Sequence, residues 1–121
     1  MAEEIKTWLY DIKNAIEEIE SFFDDRPMRF VDYSNDVRTR RAVERNMEII
    51  GEAMNRILKA DKAVVISNAR KIVDVRNRIV HGYDTVSDET IWDIIVHHLP
   101  VLKSEVMRML DSAHSENLGI G

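Results

Sequence analysis

The chain has 121 residues, a formal net charge of −5 and no cysteine. That length suits a single domain with a core of modest size, which self-association would reinforce; the absence of cysteine excludes disulfides, thiolate zinc sites and a thiol nucleophile. The acidic balance argues against an undirected nucleic-acid binder, because lysine and arginine supply most non-specific affinity for phosphate.

Helical periodicity dominates from the start. Ile5, Trp8, Leu9, Ile12, Ala15, Ile16, Ile19, Phe22 and Phe23 trace one apolar face, so residues 3–24 are predicted as an amphipathic helix closed by Pro27. Tyr33, Ser34, Asn35 and Asp36 supply cap chemistry for a second helix, in which Val43, Met47, Ile50, Met54 and Ile57 alternate four and three apart like a packing seam. Gly51 within that seam costs about 1 kcal/mol against Ala, a cost that signals close approach by a neighbouring helix. Glu44, Glu48 and Glu52 form a ladder expected to face solvent. The apolar run 63–66 has no partner strand nearby and reads as a connector or helix start.

A third helix is predicted over 68–81, with Gly82 at its C′ position. Ser87 and Asp88 open a fourth carrying Ile91, Trp92, Ile94 and Ile95, and Pro100 sits at the opening of a fifth carrying Leu102, Val106, Met109 and Leu110. The expected architecture is all-α, an up-and-down bundle of about five helices over 1–111 with a flexible tail over 112–121. The segment Met1-Ala2-Glu3-Glu4 lacks the features of a secretory signal, and no apolar run approaches the roughly 20 residues that span a bilayer. A cytoplasmic protein without a membrane partner is expected.

The stretch Arg76-Asn77-Arg78-Ile79-Val80-His81-Gly82-Tyr83 carries the most chemistry. Arg76 falls on the apolar stripe of Ala69, Ile72, Val73, Ile79 and Val80, where a guanidinium is costly to desolvate without a partner or ligand. Asn77 and His81 lie one turn apart on a polar stripe. Arg76 and His81 are separated by about 7.5 Å along the axis, a gap that a second copy of the chain could bridge. The plainer reading makes Arg76 an ion-pair partner of Asp74 or of a glutamate elsewhere, His81 a complement to the helix dipole, and Tyr83 a packing residue.

The octapeptide resembles the Arg-x4-His-x-Tyr signature of the HepT-like branch of the HEPN domain families, regarded as toxin ribonucleases. The resemblance extends to Ala42–Ala53, similar to the family's long second helix, and to Ile91–Leu102, similar to the segment after the motif. It implies a HEPN-like bundle and a homodimer in which two motifs share one cleft. It also implies a minimal nucleotidyltransferase antitoxin that transfers AMP to the tyrosine of the motif, here Tyr83. AMP at that position would compete with RNA phosphates for Arg76.

The residue types agree with metal-independent RNA cleavage, for which neither cofactor nor metal is expected. His81 would act as general base or acid, Arg76 as the clamp on the developing phosphorane charge, and Asn77 as the group orienting imidazole or phosphate. The expected product end is a 2′,3′-cyclic phosphate. A metal site built from His81, Asp93, His97 and His98 is the weaker reading, since adjacent His97 and His98 point about 100° apart on an α-helix.

Charge is segregated along the chain: residues 1–25 hold eight acidic and two basic side chains, whereas 37–45 hold four arginines against Glu44. If the second helix and the motif helix are neighbours, Arg40, Arg41, Arg45 and Arg78 are candidates for a local RNA-binding face; the competing reading is a solvated face with intrahelical pairs to Glu44 and Glu48. No aromatic interleaving accompanies them, so backbone contacts with little base readout are expected. The alternative class of function is a non-catalytic helical module that binds a nucleotide or RNA for an adjacent nucleotidyltransferase.

Overall fold

A computed structural model of the chain describes residues 1–82 and 86–117, with side chains to residue 114. The described residues are all-α: α1 (Glu3–Ser21), α2 (Phe30–Ser34), α3 (Val37–Ala60), α4 (Ala69–His81), α5 (Asp88–Asp93) and α6 (Leu99–Asn117). Helix α3 packs on α1 and on α4, and α1 also packs on α6. The predicted seam is the centre of the core, with Val43, Met47, Ile50, Met54 and Ile57 fully buried. Among the described residues, no helix is long and apolar enough to cross a membrane.

Cap chemistry explains most boundaries. The Asp36 carboxylate accepts from the backbone N–H of Thr39 at 3.1 Å and from its hydroxyl at 2.7 Å, which opens α3. Ser87 accepts from the N–H of Thr90 and opens α5. Gly82 ends α4 in the left-handed region at φ 64°, its N–H returning to the Arg78 carbonyl at 3.0 Å. The predicted span 68–81 therefore differs from the observed α4 by one residue: Asn68 sits just outside, itself left-handed at φ 59°, a conformation asparagine tolerates better than most residues.

Three boundaries differ from the sequence expectation. Helix α1 stops at Ser21 rather than 24, and Phe22, Phe23 and Asp24 donate to carbonyls three residues back. Carboxylates at Asp24 and Asp25 are unfavourable at the negative end of a helix, and Pro27 blocks continuation.

The second difference is at Pro100: it is the second residue of α6, as expected, but no loop separates that helix from α5. α5 and α6 form one continuous rod through a π-helical turn at Ile94–His98, in which the Leu99 N–H reaches Ile94, five residues back. Proline has no N–H to return to Val96, so the backbone widens just before it instead of breaking. Counted with that rod as one, the described residues hold five helices, the short α2 standing in for the boundary that disappears. Third, α6 continues to Asn117 with Ala113 buried, so residues 112–117, expected as tail, extend the helix.

Candidate active site

Arg76 is where sequence pattern and packing meet. It lies on the α4 stripe that faces α3, and the residue opposite it is Gly51: a Cβ placed on Gly51 would overlap Arg76 Cβ and sit 2.7 Å from its Cγ. The glycine thus admits the stem of the arginine between the two helices, leaving the Arg76 side chain 23% exposed. A half-buried guanidinium needs an anion, and α3 supplies one from the next position. Arg76 Nη2 meets Glu52 Oε2 at 2.6 Å, and Nη1 donates to Asn77 Oδ1 at 3.0 Å. Arg76 Nε is buried without a hydrogen-bond partner among the described residues.

Glu52 holds a second cation. Arg56 Nε donates to its other oxygen at 2.9 Å, so two guanidiniums flank one carboxylate. Together they border a cavity of about 310 Å³ whose lining also includes Trp8 and Asp11 from α1, Arg45 from α3 and Val80 from α4. Both signs of charge line its wall, and one indole joins them.

The sequence-predicted residues distribute unevenly. Arg76 and Asn77 are brought together. His81 is the last residue of α4 and exposed, and it is absent from the lining of the cavity although its neighbour Val80 is present. Tyr83 lies outside the described residues. Arg45 reaches the cavity rim, 73% exposed and paired with Glu48; Arg41 is as exposed and paired with Glu44. Arg40 is turned to Asp88 at 3.4 Å, where it ties α3 to the start of α5, and Arg78 is exposed on α4. α3 and α4 are neighbours, but of the four arginines only Arg45 lines this cavity.

Glu52, Arg56, Asp11 and Trp8 were not legible as site residues. Glu52 reads as a rung of a solvent-facing ladder, yet its neighbour Gly51 brings Arg76 within reach, so the carboxylate is only 37% exposed and ion-paired on both oxygens. Gly51 was the available signal: where a neighbouring helix approaches a glycine, the adjacent polar residue is within its reach. Trp8 comes from a distant helix, and no local spacing announces it.

The π-helical turn alters the histidine geometry. Asp93 pairs with His98 at 3.3 Å, five residues on, and not with His97 as an α-helical spacing would have it. Lys71 from α4 joins both at 3.3 Å, and its hydrogen bond holds the Asp93 carboxyl below the usual carboxylate range. Among the described residues, no three His, Asp or Glu side chains converge as a metal site would require.

Comparison with known proteins adds the family. A model described as ribonuclease HepT-like matches residues 12–109. The protein named Probable ribonuclease HepT of Thermococcus cleftensis is 33% identical over 105 residues, which cover 86% of this chain and 94% of that one. A candidate RNase of Methanocaldococcus jannaschii is 29% identical over 119 residues, covering 94% and 93%, and a second from the same organism is 29% identical over 109 residues, covering 88% and 91%. No solved structure is significantly similar. With the family model spanning most of the bundle and its helices in the expected order, the chain belongs to the HepT-like ribonuclease family.

Proposed function

We propose that this chain is the toxin of a toxin–antitoxin pair, a metal-independent endoribonuclease that works as a homodimer with Arg76, Asn77 and His81 at the shared cleft. The observation that carries the reading is the guanidinium of Arg76, half-buried at a cavity, backed by an anion and fixed by Asn77. A cation held in this way stabilises charge that develops on a phosphorane without reorganising at the moment of reaction.

In the proposed reaction a base removes the proton of a ribose 2′-hydroxyl, the oxygen attacks the adjacent phosphorus, and the bond from phosphorus to the 5′-oxygen breaks. An acid protonates that leaving oxygen, so the products are a 2′,3′-cyclic phosphate and a 5′-hydroxyl. One imidazole does not serve both transfers at once. His81 of one copy acts as base and His81 of the second as acid, which is why the dimer is part of the proposal; the exposure of His81 at the end of α4 agrees with its meeting a second chain. Arg45 and Arg78 would hold flanking phosphates, with Arg40 and Arg41 further along α3. Transfer of AMP to Tyr83 by a minimal nucleotidyltransferase would place phosphate two residues from His81 and silence the cleft.

The test is cleavage of purified cellular RNA by the isolated chain in EDTA, beside His81→Ala, with the intact mass recorded to exclude AMP on Tyr83. Cuts that require His81 and leave cyclic phosphate ends are expected. Absence of cutting by unmodified dimer across several RNA classes moves the assignment to a helical binding module.

A further inference from the structure

Glu52 takes no part in the proton transfers proposed above, yet it is the anion closest to the clamp. Its two carboxylate oxygens are divided between Arg76 Nη2 at 2.6 Å and Arg56 Nε at 2.9 Å. We propose that Glu52 is a positioning residue: it holds the Arg76 guanidinium at the cavity edge in the orientation that receives an RNA phosphodiester. This inference rests on the ribonuclease reading and adds a residue to it.

The donor inventory of Arg76 supports the assignment. A guanidinium has five N–H groups in a fixed plane. Nη2 is ion-paired with Glu52, Nη1 donates to Asn77, and Nε is buried. The N–H groups that these contacts leave over are donors of the kind that phosphate oxygens accept from. Glu52 therefore fixes the Nη2 end of the group at a cavity that both residues line. The charged lining as a whole is balanced, with Arg45, Arg56 and Arg76 against Asp11, Glu48 and Glu52, and the Glu52 carboxylate offsets the repulsion between Arg56 and Arg76. Gly51 completes the arrangement, since only its missing side chain lets the Arg76 stem approach the adjacent Glu52.

The test uses the full chain with Glu52→Gln, which removes the charge and keeps an acceptor, and Glu52→Ala, which removes both; thermal melts confirm folding. Three quantities are read: the Arg76 side-chain Nε–H signal by NMR, assigned by its loss in Arg76→Ala; affinity for a 2′-O-methyl oligonucleotide, which lacks the nucleophile and is bound uncut; and kcat with KM on the ribose oligonucleotide. Glu52→Gln is expected to bind the uncut analogue about threefold more tightly at low salt, because a nearby anion is gone, while kcat falls about tenfold or more through loss of orientation. Glu52→Ala is expected to broaden the Arg76 signal and lose more turnover than Gln.

A fall in both affinity and kcat that merely follows the folded fraction would make Glu52 structural and overturn the proposal. An unchanged or higher kcat in Glu52→Gln would overturn it too, making the carboxylate a competitor of the substrate. If the wild-type chain cuts no RNA, the ribonuclease reading fails by itself. In that case the Arg76 signal still decides whether Glu52 positions the guanidinium, and an unchanged signal in Glu52→Ala rejects it.

Discussion

The cavity at the seam of α1, α3 and α4 and the one between α1 and the α5–α6 rod are built from opposite chemistries. The first, about 310 Å³, has Arg45, Glu48, Glu52, Arg56 and Arg76 in its wall. The second is larger, about 530 Å³, and lined by Ile19, Phe23, Met28, Trp92, Ile95 and Leu99, with Glu20 the charged residue among its described lining. Beside it, Trp92 packs edge-on to Phe23 and Phe30 with centroids 5.8 and 6.2 Å away, and obliquely to Tyr33 at 5.3 Å. Size does not decide between them. The larger hollow lies among groups that hold the fold, and the smaller one, which we propose as the reactive region, surrounds a half-buried cation balanced by Glu52.

That division predicts which substitutions separate activity from stability. Arg76→Ala should cut the rate of RNA cleavage by about 10²–10³ and lower the unfolding free energy by about 1–2 kcal/mol, mostly through the stem packed against Gly51, since the lost ion pair is partly exposed. Trp92→Ala should do the reverse, costing about 3 kcal/mol while the folded fraction cleaves at the normal rate. Initial rates in EDTA beside urea unfolding of both variants measure this, and a Trp92→Ala protein that is folded but inactive would dissolve the distinction.

Gly51→Ala probes the boundary between the two kinds of region. Alanine gains up to about 1 kcal/mol of helix propensity, but its Cβ would collide with the Cβ and Cγ of Arg76, and the first of those cannot rotate away. The helices must part, so the net change is a destabilisation of roughly 1–2 kcal/mol. Cleavage should fall further than stability does, because the guanidinium moves with α4. Rates compared at equal folded fraction check it.

The fold was largely legible because its information is local. The seam from Val43 to Ile57, the caps at Asp36 and Ser87, and Gly82 at the end of α4 each depend on spacing or on a residue's own backbone preference, and each was read from the chain directly. Pro100 marks the opening of α6, but the wider turn that joins it to α5 without a loop is not announced by the proline alone. Of the site, Arg76 with Asn77 was visible as a cation on an apolar stripe. Its partners were not, since Glu52, Arg56 and Trp8 reach the cavity through the packing of α1 and α4 on α3, a property of tertiary structure that no single helix carries.

Tyr33→Phe tests the apolar region on a smaller scale. The Tyr33 side chain is buried and its hydroxyl has no hydrogen-bond partner among the described residues. Burial, reinforced by the carboxylates of Asp88 and Glu44, pushes its pKa well above the ordinary tyrosine value, so the group remains a neutral and unsatisfied donor. Removing an unsatisfied hydroxyl while keeping the ring should stabilise the chain by up to about 1 kcal/mol, with cleavage unchanged. A lower urea midpoint in Tyr33→Phe would instead mean that the hydroxyl is satisfied in solution.

The weakest effect concerns the polar knot that secures the aromatic group to α3. Arg26 lies 5.4 Å from the Phe23 ring centroid and donates to Asp36 at 2.8 Å. Hydrogen bonds from Thr39 and from Arg26 hold the Asp36 carboxyl well below the usual carboxylate range. A carboxyl lowered in the folded state contributes its full stabilisation above its unfolded pKa, near about 3.9, and loses it as pH falls from there toward the folded value. Asp36→Asn keeps an N-cap acceptor but does not titrate. The gap in urea midpoint between wild type and Asp36→Asn should be constant from pH 7 to about 5 and narrow below about pH 4. Because Asp36 is surface-accessible, added salt should shrink the neutral-pH gap as well. A gap that persists to low pH would assign the effect to packing around Thr39 and not to the charge.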